Sequence, residues 1–174
     1  MQIAYVSAPG AGAVDRLVLG MARRLTAAGL RTCGIVQINT ERSGGAVCDM
    51  DVHVLPDGPV LRISQRLGSG ARGCRLEPAA LEEAAGLVLA GLARGADVLI
   101  VNKFGKHEAD GRGFRPVIAE ALALDIPVLV GVSASNRDAF LAFAGDMAVA
   151  LPPGDDALPG WLTGCRGGMG APTA

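Results

Sequence analysis

The sequence predicts a three-layer α/β fold with a mainly parallel sheet of about five strands and an inserted β-hairpin. Apolar runs of strand length alternate along the chain with segments of helical length, which is the pattern of a parallel sheet connected by helices. The apolar runs contain few polar residues, as expected for strands that helices cover on both faces. Half of the 174 residues are hydrophobic, and this length and composition suit one domain.

The expected strands are short apolar segments bounded by glycine, proline or charged residues. In chain order they are Gln2–Ser7, Arg31–Ile38, Val47–Leu55, Val60–Ser64, Asp97–Val101, Ile126–Val132 and Met147–Leu151. The third and fourth are joined by Pro56-Asp57-Gly58-Pro59 and predict the hairpin. The other five are expected to form the sheet.

Four helices are expected between these strands. The first begins near Asp15 and stops at Gly29, because an acidic residue favours a helix start and glycine a helix end. The second opens at Glu77-Pro78, since proline is tolerated in the first helical turn, and runs to about Arg94. The last two are Pro116–Leu124 and Asn136–Ala144.

The predicted domain spans residues 1–151, and residues 152–174 are expected to form a tail. This tail is rich in proline and glycine, and Trp161 is its only large apolar anchor. The chain shows no internal repeat and no long block of charge, so nothing in the sequence predicts a second domain.

Composition and charge disfavour several classes of protein. No stretch of about 18 uncharged apolar residues predicts a transmembrane helix, and the N-terminus lacks the basic segment of a signal peptide. The net charge of −1 and the aromatic content of 3% disfavour binding to nucleic acid or to an acidic membrane. The four cysteines have no C-x-x-C spacing, which favours reduced thiols in a cytoplasmic protein.

Ligands of parallel sheets bind at the carboxyl ends of the strands. The segments expected at this edge are Ser7–Asp15, Gln37–Ser43, Asn102–Gly113 and Ser133–Asn136. The first of them is a glycine loop, Ser7-Ala-Pro-Gly-Ala-Gly-Ala-Val14, placed between a strand and a helix. Glycines let backbone N–H groups converge and the helix N-terminus adds partial positive charge, so this position suits an anion.

The glycine loop departs from the phosphate-binding pattern G-x-x-x-x-G-K-[ST]. Gly12 keeps the second glycine, whereas Ser7, Ala13 and Val14 replace the first Gly, the Lys and the Ser/Thr. Asp15 would repel a phosphate if its side chain turned inward. A plain strand-to-helix turn without a ligand is the alternative interpretation.

The loop Asn102–Gly113 contains both lysines of the chain. Of 16 basic residues, 14 are arginine, and the two lysines, Lys103 and Lys106, lie three positions apart. The same loop carries His107, Glu108, Asp110 and Arg112. These side chains predict either a chemical site or a set of solvated and locally paired charges.

At these residues the sequence resembles a known group of proteins. Val98–Asp138, with residues 8–34 and the hairpin, is similar to the P-loop nucleoside-triphosphatases of the cancer-related and thermophilic type. In those proteins the corresponding strand ends in Asp-Glu-Ile-Gly, followed by Glu. This chain has Asn102-Lys103-Phe104-Gly105, followed by Glu108.

A bacterial domain-of-unknown-function family (domain of unknown function 2478) on the same scaffold is more similar still. The resemblance lies in V-N-K-F-G-K-x-E-x-x-G-R-G at Val101–Gly113, in Cys48-Asp49-Met50 and in Gly73–Leu76. It covers about residues 2–151 and implies a fold like that of P-loop NTPases. Members of this family are often associated with molybdate-uptake genes, which implies a link to molybdenum metabolism.

The resemblance also implies degenerate Walker motifs. Ala13, Val14 and Asn102 stand where a working enzyme has the Lys that binds phosphate and the Ser/Thr and Asp that hold Mg²⁺. Little or no Mg²⁺-dependent hydrolysis and no metal site are therefore expected. Lys103 or Lys106 is expected to reach the anion from the opposite wall, because the strand before Asn102 is expected to lie beside the strand before the glycine loop.

These arguments define the candidate site residues. The ligand-binding candidates are Pro9, Gly10, Ala11, Gly12, Ala13, Val14, Asn102, Lys103, Lys106 and Arg112. If the protein is an enzyme, Lys103 and Glu108 are the catalytic candidates.

Three functions remain open on the sequence. The first is a degenerate P-loop protein that binds an anionic small molecule without Mg²⁺, as an accessory factor in molybdenum metabolism. The anion would be a nucleotide such as ATP or GTP, or an oxyanion such as molybdate. The second is a divergent NTPase or phosphotransferase that uses Lys103, Lys106 and Glu108, and the third is a non-catalytic interaction scaffold. A homo-oligomer is compatible with each.

Weaker patterns complete the sequence analysis. Cys48, His53 and Cys74 could form a metal site only if the hairpin met the following loop, and ordinary thiols are the more economical interpretation. Two further basic runs are candidates to line the anion site. They are Arg62, Arg66, Arg72 and Arg75, and Arg112 with Arg115.

Overall fold

Seven strands form one mixed sheet in the computed structural model, which describes residues 2–41, 48–65, 76–153 and 157–167. The strands are β1 Ile3–Val6, β2 Thr32–Glu41, β3 Cys48–Leu55, β4 Val60–Arg62, β5 Val98–Phe104, β6 Val128–Val132 and β7 Ala148–Ala150. Their spatial order is β4-β3-β2-β5-β6-β1-β7. The five strands from β2 to β7 in this order are parallel, and β3 and β4 continue the sheet antiparallel to β2.

The sheet therefore has seven strands and not about five. All the predicted strands exist, and the difference arises because the hairpin does not stand apart from the sheet. Strand β3 pairs with β2 over eight residues, from Gly34↔Leu55 to Glu41↔Cys48. The hairpin thus builds the sheet edge next to the predicted ligand-binding region.

The four predicted helices lie where the sequence pattern places them, and two further helices are present, a short one in the loop after β5 and one near the C-terminal end. The helices are α1 Ala13–Ala27, α2 Pro78–Leu92, α3 Lys106–Ala109, α4 Arg115–Ala123, α5 Arg137–Ala144 and α6 Ala157–Gly167. Within the segment predicted as a tail, α6 packs on the domain, because Leu158 and Leu162 are buried in the core with α1. These two leucines are four positions apart, the spacing that puts them on one face of a helix.

Helices on both faces of the sheet make the fold three-layered. Residues of α1 and α6 pack on one face against Ile100 and Leu129, whereas α2, α4 and α5 pack on the other against Leu99 and Val101. Successive residues of β5 thus serve opposite cores, as the alternation of side chains along a strand requires. No helix among the described residues is long and apolar enough to span a membrane.

The prediction that β1 and β5 are adjacent strands is wrong. Strand β6 lies between them and pairs with both, Ala4↔Leu129 on one side and Ile100↔Leu129 on the other. The glycine loop after β1 and the polar residues at the end of β5 are therefore separated by one strand. They meet only because α1 crosses over β6 toward β5.

Gly131 in β6 makes this crossing close. A Cβ atom at this position would lie 2.9 Å from both Val14 Cγ1 and Val18 Cγ2 on α1. Such distances are far inside van der Waals contact, so the first turns of α1 sit directly on the backbone of β6. The absence of a side chain at Gly131 sets the height of α1 above the sheet.

We expect Gly131→Ala to lower the free energy of unfolding by about 1–3 kcal/mol, because overpacking displaces α1. Gly86→Ala in α2 is the matched control, since a Cβ at Gly86 meets no atom within 4 Å. That control should be neutral or stabilising by up to about 1 kcal/mol. Urea unfolding measures both variants, and equal stabilities would contradict the close packing of α1 on β6.

Candidate functional site

Asp15, in the first turn of α1, is the centre of a polar network at the carboxyl edge of the sheet. Asp15 is only 2% exposed, and its carboxylate accepts hydrogen bonds from side chains on two neighbouring strands. From β5, Lys103 Nζ lies 3.2 Å from Oδ1 and 3.3 Å from Oδ2. From β2, Asn39 Nδ2 donates to Oδ2 at 2.7 Å. The inward turn of Asp15 thus occurs, and Lys103 balances its charge.

Asn102, which is 1% exposed, ties β5 to the same carboxylate. Its amide nitrogen donates to Asp15 Oδ1 at 3.0 Å, and its amide oxygen accepts from the backbone N–H of Gln37 at 2.9 Å. This orientation follows from the chemistry, since a carboxylate only accepts and a backbone N–H only donates. Both oxygens of Asp15 are consequently occupied by donors from this protein.

The network continues outward through the side chains of β2. Gln37 Nε2 donates to Asn39 Oδ1 at 2.7 Å, and Asn39 in turn donates to Asp15. The Asp15 carboxylate can only accept, so it sets the direction of both hydrogen bonds in this series. The side chain of Gln37 is therefore oriented with its nitrogen toward Asn39.

The glycine loop lies at the N-terminus of α1. Gly10 and Gly12 have φ values of 96° and 66°, which favour glycine, and the N–H of Ala13 donates to Gly10 O at 3.3 Å. Val14 is buried against Gly131, so its side chain does not face the loop opening. Arg16, which the sequence analysis missed, lies beside the loop, with Nη1 3.2 Å from where a Cβ of Gly12 would stand.

Glu108 holds the loop after β5 together. Glu108 is 3% exposed as a residue. Its carboxylate accepts hydrogen bonds from the backbone N–H of Gly105 at 2.8 Å and from that of Phe114 at 3.1 Å. Gly113 is required beside it, because its φ is 59° and a Cβ there would lie within 2.4 Å of Glu108 Oε1. Glu82 accepts the N–H of Gly113 and anchors this loop to α2. These contacts give Glu108 a structural role, and its catalytic role remains an untested prediction.

The other charged candidates of this loop face outward. Lys106 is exposed and does not reach Asp15, whereas Arg112 pairs loosely with Asp110 at 3.8 Å. Among the residues that the structure describes, no partner contacts the buried His107 Nδ1. The predicted residues therefore divide into a buried group around Asp15 and an exposed group around Lys106.

A cavity of about 400 Å³ lies under the exposed group. Its walls come from β2, β3, α2 and the loop after β5, and Asn102 and Lys103 form its boundary with the Asp15 network. The described residues that line it include none of residues 8–14. The glycine loop and the lysine loop therefore do not enclose one common pocket.

The remaining clusters lie away from this site. Arg62 forms ion pairs with Asp49 and Asp51, and Arg115 stacks on Phe143 at 4.8 Å. Arg66, Arg72, Arg75 and Cys74 fall outside the described residues. Within the described ranges, no three His, Cys, Asp or Glu side chains are grouped as a metal site would need.

Comparison with known proteins places this fold in a family. Residues 3–161 match the family model DUF2478, whose description is "protein of unknown function". The chain belongs to the DUF2478 family. The resemblance inferred from Val101–Gly113 and its companion motifs is thereby confirmed.

One curated relative carries a functional name. Over 138 residues this DUF2478 chain is 38% identical to the molybdenum import ATP-binding protein ModC 2 of Bradyrhizobium diazoefficiens. The match covers 79% of the chain but only 15% of that protein. The DUF2478 chain thus spans a small part of the length of this relative.

Two solved structures share the fold. The crystal structure of THEP1 from the hyperthermophile Aquifex aeolicus superposes with a TM-score of 0.62, covering 94% of this chain and 96% of THEP1 at 18% identity. The solution structure of a human cancer-related nucleoside triphosphatase gives a TM-score of 0.50, covering 96% and 85% at 18% identity. This similarity confirms the predicted P-loop NTPase-like fold, and at such identity it carries the fold alone.

We expect Asp15→Asn to destabilise the protein by about 2–4 kcal/mol, because Lys103 and Asn102 lose a buried acceptor of their hydrogen bonds. The partial exposure of the Lys103 side chain, 33%, keeps the loss at the lower end of this range. Asp57→Asn, in the exposed hairpin turn, should change stability by less than about 0.5 kcal/mol. Urea unfolding of both variants is the measurement, and an Asp15→Asn protein as stable as its control would contradict the network.

The cysteines allow a prediction about pH. Burial raises the pKa of the Cys33 thiol above its usual value, and Cys33 Sγ donates to Val88 O at 3.5 Å. Cys48 is exposed. Because the fold favours the neutral form of Cys33, this contribution to stability is present below the pKa of the unfolded thiol. It is lost as pH rises through the folded-state pKa.

At pH 8 we therefore expect iodoacetamide to modify Cys48 readily and Cys33 only upon unfolding. Peptide mapping by mass spectrometry separates the two sites. Equal labelling rates in the native protein would be inconsistent with the buried position of Cys33.

Proposed function

We propose that this protein binds an anionic ligand, foremost a nucleotide, at the glycine loop, with little or no Mg²⁺-dependent hydrolysis. The observation that carries the proposal is the bonding of Asp15, whose two oxygens are taken by Lys103, Asn39 and Asn102. A carboxylate saturated with donors has no free oxygen with which to hold Mg²⁺. The relationship to ATP-binding folds supports the choice of a nucleotide.

The anion itself would be bound by groups at the mouth of the glycine loop. Gly10 and Gly12 shape this loop, and the N-terminus of α1 contributes partial positive charge. Arg16 is exposed beside Gly12, and no described side chain neutralises it. Because Lys103 is already neutralised by Asp15, Arg16 supplies the uncompensated charge there.

Loss of hydrolysis follows from three substitutions acting together. Val14 offers a buried apolar side chain in place of a hydroxyl, and Ala13 offers no cation. The side-chain amide of Asn102 is hydrogen-bonded to Asp15 and to the backbone N–H of Gln37 on β2. Glu108, the acid of the enzymatic alternative, likewise has both oxygens on backbone N–H groups. The metal contacts of a P-loop enzyme therefore have no replacement among the described residues.

The 38% identity to part of a molybdenum import ATP-binding protein supports a role as an accessory factor in molybdenum metabolism. In this role the protein is cytoplasmic and senses a nucleotide, or an oxyanion such as molybdate, without consuming it. An oxyanion ligand binds at the same loop in this proposal, because a tetrahedral anion and a phosphate group need the same N–H donors and cation.

We expect ATP or GTP at 100 times its dissociation constant to stabilise the protein by about 2.7 kcal/mol, equally with and without Mg²⁺. A thermal-shift series with ATP, GTP, molybdate and sulfate measures this and separates the two kinds of anion. Phosphate release with Mg²⁺ should remain at background.

Arg16→Gln should remove most of the thermal shift. Arg23→Gln, in an exposed position two turns along the same helix, should retain it. Absence of a shift with every anion would refute the proposal. A Mg²⁺-dependent phosphate release that disappears in Lys103→Ala would instead favour the divergent enzyme.

A further inference from the structure

The cavity under the loop after β5 has the composition of a site for a small organic molecule. Its volume of about 400 Å³ lies within the range of about 300–1,000 Å³ that is usual for such ligands. Apolar side chains from three elements and a connecting segment form its walls, namely Ile35, Met50, Ile63 and Leu81. A phosphate group alone would leave this apolar surface uncovered.

The lining of the cavity carries charges of both signs. Its cations are Lys103, Lys106 and Arg112, and its acids are Asp110 and Glu108, whose carboxylate accepts two backbone N–H groups. Asp15 neutralises Lys103, and Asp110 lies 3.8 Å from Arg112. Lys106 is exposed and has no acidic partner among the described residues. Among the described residues that line the cavity, the cation without an acidic partner is therefore Lys106.

The floor of the cavity presents a hydrogen-bond acceptor. Gln37 is 6% exposed and lines the cavity, and its nitrogen is committed to Asn39. No described residue donates to its oxygen, Oε1. Because Gln37 lines the cavity, its Oε1 is the acceptor that the side chain offers to a ligand there. An acceptor that faces a cavity is satisfied there by a ligand or by water.

We propose that this cavity is a second ligand site, distinct from the glycine loop, for a small organic anion with an apolar body. The body packs on Ile35, Ile63 and Leu81, the anionic group pairs with Lys106, and an N–H or O–H of the ligand donates to Gln37 Oε1. This site goes beyond the proposed nucleotide function, because the described lining residues include none of residues 8–14.

The test uses two fluorescent probes that differ by one charged group. 1-Anilinonaphthalene-8-sulfonate has an apolar body, an N–H donor and a sulfonate, and N-phenyl-1-naphthylamine has the same body and donor without the sulfonate. We expect the sulfonate to bind the full chain with one-to-one stoichiometry and about 5- to 10-fold more tightly than the neutral probe.

Lys106→Gln should weaken the sulfonate about 5- to 10-fold and leave the neutral probe unchanged. Arg94→Gln is the matched charge control, because Arg94 is exposed at the far end of α2 and does not line the cavity. Gln37→Met should weaken both probes about 3- to 10-fold, since both lose the acceptor for their N–H. Lys106 is a surface residue, so its variant tests the site even if Gln37→Met fails to fold.

Three results would overturn this proposal. The first is no one-to-one binding of either probe, and the second is an equal loss of both probes in Lys106→Gln. The third is displacement of the sulfonate by saturating ATP, which would make the cavity part of the nucleotide site. Retention of the probe with ATP bound supports two sites, and it does so whether or not the proposed nucleotide function survives its own test.

Discussion

The buried carboxylate of Asp15 is the constraint on which the carboxyl edge of this protein depends. It draws donors from α1's two neighbours across the sheet, Asn39 on β2 and Asn102 and Lys103 on β5. A buried anion without these donors would be strongly unfavourable, so the three elements must meet in one arrangement. The interaction therefore fixes where the glycine loop, the end of β2 and the lysine loop stand relative to each other.

The same constraint separates two surfaces that the sequence places together. The glycine loop opens at the N-terminus of α1, whereas the apolar cavity opens beyond Lys103 on the side of β3 and α2. Gln37, Asn39 and Asn102 fill the space between them with a chain of hydrogen bonds whose direction runs toward Asp15. These polar side chains thus separate the glycine loop from the cavity and also stabilise the carboxyl edge of the sheet.

Much of the fold could be predicted from the sequence, because apolar runs, glycine stops and Pro78 are local signals. Strand order is not local, and the insertion of β6 between β1 and β5 has no trace in any single segment. Helix α6 was hidden by composition, since the glycines and prolines around Leu158 and Leu162 indicate a loop more strongly than two leucines indicate a helix.

The polar residues at the carboxyl edge of the sheet could be predicted from the sequence, but only some of their contacts could, and their role in binding stays a prediction. The lysine loop and the glycine loop are recognisable from residue types, and the inward turn of Asp15 was considered as a condition. Its partner Lys103 lies 88 positions away, a pairing that spacing does not predict. Glu108 looks like a functional acid in sequence, but its geometry with Gly105 is that of a helix cap, which only coordinates distinguish.

The scarcity of lysine gives the protein an unusual chemical property. Lys103 and Lys106 are its only lysines, and both stand at the rim of one cavity, one held by a carboxylate and the other exposed. Apart from the N-terminal amine, every primary amine of the chain therefore lies at the candidate site. An amine-selective reagent becomes a reporter of that site, and its modification of Lys106 over Lys103 records how firmly Asp15 holds its partner.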